Sequence, residues 1–130
     1  MFEFMHNAGG HTPMTRRFPA TADGLLKGQA VALVAGKLVL STGTGSGAES
    51  CIGIAQEASS AADQMIEVII ASPDAVFKTQ KSGTVALGAK YDTDATGVKV
   101  QHDDTTNPKF KVIGTCDDGD VLVMNISFAL

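Results

Sequence analysis

Along most of the chain, apolar and polar residues alternate in short runs, each closed by glycine, proline or aspartate. Residues 29–34 and 37–42 are two such runs, and only Ala35-Gly36 separates them. A two-residue link with glycine between alternating segments predicts a tight β-hairpin. Residues 51–55 and 64–70 read as further strands from their β-branched content. Ser72-Pro73-Asp74 has the form of a helix start. The segment that follows it, 76–79, lacks helical periodicity, which favours a turn and then a strand. Strands are also expected at 84–87, 90–91, 98–101, 109–113 and 121–128, the last being the longest candidate. Residues 56–63 are alanine-rich and short, open between one brief helix and a loop. Nine or so short strands joined by tight turns predict an all-β domain, a small barrel or sandwich with at most one short helix.

The order of pieces recurs. Leu26-Lys-Gly-Gln-Ala-Val, a turn with Gly36, Lys37-Leu-Val, Cys51-Ile-Gly-Ile-Ala and Asp63-Gln-Met-Ile-Glu-Val follow one another in the first half. Leu87-Gly-Ala-Lys-Tyr-Asp, a turn with Gly97, Val98-Lys-Val, Val112-Ile-Gly-Thr-Cys and Asp120-Val-Leu-Val-Met follow in the second. Identities are few, but such an echo implies two similar β-units on one core. It also puts Cys51 and Cys116 in matching places.

Residues 1–18 break the pattern. They hold Phe2, Phe4, Phe18, Met5, Met14, His6, His11 and the only two arginines, Arg16 and Arg17, while Gly9-Gly10 and Pro13 interrupt any period. This composition predicts an extended N-terminal arm on a β-domain spanning 19–130. Such an arm lies on a partner, or it is disordered or folds back as a strand on its own domain.

Composition narrows the class. The chain has 130 residues, 44% hydrophobic and 18% charged, the balance of one folded domain rather than a disordered chain. A net charge of −4 gives no basic excess for nucleic acid. No apolar run is long enough for a spanning helix, and the first residues lack the pattern of an export signal, so neither a membrane nor secretion is expected. Two cysteines 65 positions apart fit no metal-knuckle spacing, and inert buried thiols are the expectation.

Candidate chemistry is sparse. Gly43, Gly45 and Gly47 alternate, but no lysine and no helix start follow, so a flexible loop is the better reading than a phosphate cradle. Asp92, Asp94 and Thr96, with Gly97 and a distant Asp103, have the spacing of a calcium loop. The last ligand would be aspartate rather than a bidentate glutamate, and a β-turn uses the same residues. Asp117-Asp118-Gly119-Asp120 reads first as a turn. His102 beside Asp103-Asp104 could form an acid–base pair, but no nucleophile accompanies it. No catalytic set emerges, no cofactor is implied, and a structural or binding module rather than an enzyme is expected.

Three segments carry a resemblance: Gly24-Leu-Leu-Lys-Gly-Gln-Ala-Val31, Cys51-Ile-Gly-Ile-Ala55, and Gly83-Thr-Val-Ala-Leu-Gly-Ala-Lys-Tyr-Asp-Thr93 with Gly97-Val98. With the Trp-free, Gly/Ala/Val/Thr-rich composition, the chain resembles the capsid decoration, or cement, proteins of tailed bacteriophages over about residues 18–128. The resemblance implies a virion protein made in the host cytoplasm. It would bind the outer surface of the expanded capsid, often as a homotrimer, and bridge major capsid protein subunits. Phe2, Phe4, Met5, Met14 and Phe18 would fill apolar pockets of the partner, and Arg16 and Arg17 would pair with its carboxylates. Alternatives are another virion β-module, in a tail or a carbohydrate-binding projection, or a small calcium-binding domain built on Asp92–Asp103.

Overall fold

The structure is a computed structural model, and it describes residues 1–7, 10, 12–21, 24–41, 50–101 and 108–128. Those residues form eleven β-strands and no helix: β1 (Glu3–Asn7), β2 (Thr15–Pro19), β3 (Ala30–Val34), β4 (Lys37–Leu40), β5 (Gly53–Ala55), β6 (Met65–Ile70), β7 (Ala75–Ser82), β8 (Lys90–Thr93), β9 (Lys99–Gln101), β10 (Phe110–Thr115) and β11 (Val121–Asn125). The all-β expectation is met. Residues 56–63 form bends and a turn, not a helix, and Asp63 has a positive φ of 63°. The hairpin at Ala35-Gly36 is present, with φ of 51° and 80°, the double positive φ that the right-handed twist of the flanking strands favours. The longest strand is β7 rather than the C-terminal one, because one of its edges serves two neighbours.

The second half closes on itself. Strands run β7-β11-β10-β8-β9, and β9 returns to pair in parallel with β7 through Gln80↔Lys99, Lys81↔Val100 and Ser82↔Gln101. This makes a five-stranded barrel. The first half runs β2-β6-β5-β3-β4, and its return is a single parallel bridge, Ala20↔Leu38. The two halves therefore share one topology, with β2 to β6 matching β7 to β11 in order and in every direction of pairing.

Hydrogen bonds between strands align the halves residue by residue. Ile52 N–H donates to Val31 O as Lys109 N–H donates to Tyr91 O. Ala55 N–H donates to Gln29 O as Val112 N–H donates to Ala89 O, and Gly28 N–H donates to Ala55 O as Gly88 N–H donates to Val112 O. Ala71 N–H donates to Ile52 O as Ile126 N–H donates to Lys109 O. The repeated order of sequence pieces is thus a repeat of structure. The residue alignment differs from the one the segments suggested: Lys109, not Cys116, falls next to the position matching Cys51, because the turns between equivalent strands differ in length.

Each half buries alternate positions of its strands. Ile66 and Val68 of β6, with Val31, Leu38, Ile52 and Ala55, form the core of the first half. Val121 and Val123 of β11, with Phe77, Tyr91, Val100, Phe110 and Val112, form that of the second. Ala30, Cys51, Ile54 and Ala71 belong to this second cluster although they lie in the first half. The strand β5 is thus buried on both faces, which joins the two barrels into one packed body.

The N-terminal stretch is corrected by the structure. Residues 3–7 form β1, antiparallel to β7, and the expected boundary after Phe18 falls inside β2, a full member of the first sheet. Of the readings open for this arm, the strand folded back on its own domain is the one observed. The reason is apolar burial: Phe2 is 4% exposed and stacks on Phe110 at 4.8 Å, and Phe4 meets Phe77 edge-on at 5.7 Å.

Candidate functional site

The residues expected to touch a partner divide into two groups. Phe2 is core, and Phe4 and Phe18 are half-buried against the second and first clusters. They are spent on the fold, so partner contact by Phe2 is withdrawn. Met5 and Met14 are 45% and 57% exposed, and Arg16 and Arg17 are exposed on β2. Arg17 is engaged: its guanidinium sits 2.9 Å from Glu57 Oε1 and donates to Met65 O at 3.0 Å.

The edge of β2 is the distinctive part of this surface. Ile70 N–H donates to Met14 O, and Ala20 N–H donates to Gln64 O. Antiparallel alternation then turns the backbone of Arg16 and Phe18 toward β6, and that of Thr15 and Arg17 outward. Among the described residues no strand pairs with this outward edge before the bridge at Ala20. The matching edge of β7 is covered by β1 over Ala75–Lys78. Among the described residues a strand therefore lies on one edge, and none lies on the same edge of the other half. Exposed Met14 and the two arginines lie along the strand that bears this second edge, and exposed Met65 lies on the neighbouring β6.

A second site lies beside the seam between the barrels. Lys109 Nζ is 2.7 Å from Asp92 Oδ1, and both side chains are fully buried. Asp92 Oδ1 also accepts from Thr93 N–H at 2.7 Å, whereas Asp92 Oδ2 is buried without a hydrogen-bond partner. Thr93 Oγ1 donates to Ser41 O at 2.6 Å, tying the strand to the first half. Nearby, Asn125 Nδ2 donates to Cys51 O at 2.7 Å and to Ala71 O at 2.9 Å, while its Oδ1 accepts from Ser127. A buried amide thus satisfies carbonyls of the opposite barrel.

Asp92 and Asp94, two residues of the calcium reading, are held by partners within the chain. An ammonium already neutralises Asp92. Asp94 Oδ1 accepts from Val98 N–H and Lys99 N–H, and its Oδ2 from Thr96 Oγ1, so it pins its own turn. Asp103 lies outside the described residues, as do His11, His102, Asp104 and the Gly43–Gly45–Gly47 loop. Among the described residues no three His, Cys, Asp or Glu side chains gather where they could hold a metal ion. The acidic turn is a turn: Cys116 N–H donates to Asp120 O, and Asp118 Oδ2 meets Lys78 Nζ at 2.6 Å. That hydrogen bond holds the Asp118 carboxyl below its ordinary range and the Lys78 ammonium above its own. His6 is exposed on β1. Both cysteines are free; Cys116 is half-exposed, and burial pushes the Cys51 thiol up to about 12.

The sequence reading missed Lys109 as a buried residue. Its partner position in the first half is Ile52, an alignment that the hydrogen bonds give and the order of sequence pieces does not. The chain matches no protein-family model, no curated protein and no solved structure. Among the described residues no helix is long and apolar enough to cross a membrane.

Proposed function

We propose that this protein is a structural virion component that binds the outer surface of an expanded phage capsid and stabilises it by bridging major capsid protein subunits. The observation that carries the reading is the open edge of β2, joined to the sequence resemblance described above. An open edge offers unpaired backbone groups to an extended segment of a partner, and backbone bonds give affinity without requiring a pocket. The lattice partner would supply such a segment, antiparallel to residues 14–18, as β1 lies on β7. Met14, Met65 and Met5 provide adaptable apolar contact, and Arg16 supplies a cation for a capsid carboxylate. Phe2, Phe4 and Phe18 serve instead to hold the two N-terminal strands in place. A homo-oligomer, a trimer in the first instance, would present several such edges together and multiply weak contacts.

The test is sedimentation of the purified chain alone and then with expanded, undecorated capsids. Saturable co-sedimentation at a fixed copy number supports the reading, and the number identifies the symmetry position. Met14→Asp with Arg16→Glu should lower occupancy at unchanged melting temperature. Absence of binding to expanded capsids overturns the proposal.

A further inference from the structure

Lys109 and Asp92 stand directly across from each other in the register of β10 on β8, one step beyond Phe110↔Tyr91. Their side chains meet at 2.7 Å with no exposed surface on either. The first half shows that this backbone position does not require ions: Ile52 matches Lys109, and Ala32, the residue after Val31, matches Asp92, the residue after Tyr91. Both of those residues are fully buried and apolar. Taking a carboxylate and an ammonium out of water is costly even when they are paired. Here the pairing is also lopsided. Oδ1 has the ammonium and the Thr93 N–H, and Oδ2 has nothing.

We propose that Lys109 and Asp92 are joined by an intramolecular isopeptide bond, Nζ to Cγ, formed by the folded chain itself. One ammonium proton passes to the carboxylate, leaving a neutral amine beside a neutral acid. The amine lone pair forms the N–C bond at Cγ. The tetrahedral intermediate then breaks its C–Oδ2 bond, and Oδ2 departs as water. Two of the three ammonium protons leave in that water and the third remains on the amide nitrogen; nothing is oxidised or reduced, and no co-reactant enters. Oδ1 stays as the amide carbonyl oxygen, still accepting from Thr93 N–H. Both buried charges disappear, and the oxygen that lacks a partner is the one expelled. Holding the two groups in contact inside a packed barrel supplies the orientation that the same condensation lacks in water. The product locks β8 to β10 covalently across a span of 17 residues, a permanent tie where the first half has only packing.

The test is the intact mass of the purified full chain, measured after denaturation, with tryptic mapping. The expected result is a mass short of the sequence by one water, no cleavage after Lys109, and a branched peptide joining the segments that contain Asp92 and Lys109. Lys109→Arg should restore the full sequence mass whether or not that variant folds. A wild-type chain of full mass overturns the proposal. So does a water loss traced to a linear peptide at Asp118-Gly119, where an aspartyl-glycine ring closure loses the same mass, with normal cleavage after Lys109.

Discussion

The two halves of this molecule have one topology and different solutions to the same three places. At the closure, the second barrel uses three parallel pairs between β7 and β9, and the first uses one bridge at Ala20 and Leu38. At the outer edge, β7 carries β1, and β2 carries no described strand. Beside the seam, the second half holds Lys109 on Asp92 where the first holds Ile52 and Ala32. A shared strand order therefore does not dictate what fills it. What must be preserved is the register and the alternation that bury one face. The residues at the closure, the edge and the seam are free to specialise, and in this protein they have.

Exchange between the halves is the sharpest test of that comparison. Asp92→Ala alone removes the group that Lys109 is joined to, leaves a charged amine in the core and should cost about 3–5 kcal/mol in chemical denaturation. Asp92→Ala with Lys109→Ile copies the first half and should recover at least about 2 kcal/mol of the loss. A double variant no more stable than the single one would show that the halves are not interchangeable there.

Asn125 is next. Its counterpart in the first half is Ile70, since Gly53↔Ile70 and Phe110↔Asn125 are matching pairs. Asn125→Ile leaves the Cys51 and Ala71 carbonyls without their donor and should cost about 2 kcal/mol. An unchanged denaturation midpoint would mean that the seam does not depend on this amide.

The same register sets Gly53 opposite the role of Phe110. A Cβ on Gly53 would lie 2.2 Å from Ile69 O and 2.5 Å from a Val68 methyl. Gly53→Ala should therefore cost about 1–3 kcal/mol, since a backbone atom must move. Gly114→Ala, on β10, meets the end of the Leu122 side chain at 3.2 Å and should cost less, because a side chain can turn aside. Equal melting temperatures for the two variants would contradict this ordering.

The smallest effect belongs to Lys78 and Asp118, both on the surface. Asp118 is held below its ordinary range, so its contribution is complete above the unfolded carboxyl pKa and fades as pH falls through the lower folded value. Lys78 is held above its ordinary value, so its contribution is complete below the unfolded amine pKa and is lost as pH rises through the higher folded one. Asp118→Asn should flatten the acid limb of the stability curve only slightly, and added salt should erase the difference. A large effect that persists in salt would show a role beyond this ion pair.

Much of this was open to a reader of the chain. The hairpin at Ala35-Gly36 follows from a two-residue link carrying glycine between alternating runs, and the strand at 65–70 follows from its β-branched content. The repeat is visible as an order of pieces. Its residue alignment is not, because equivalent turns differ in length, and a shift of a few positions makes Cys116 a false partner for Cys51. The arm stays open between its readings for a related reason: Phe2 and Phe4 have no periodic context, and only the proximity of Phe110 and Phe77 gives them one.

The sequence by itself determined the all-β class, the positions of most strands and the existence of two similar units, because alternation and turn chemistry are local properties. Only the tertiary structure decided that β1 covers the edge of β7 while no described strand covers that of β2, and that Lys109 meets Asp92 out of water. Those facts depend on which distant residues share a space, and burial of a charge or an edge is a property of that shared space rather than of any run of neighbours along the chain.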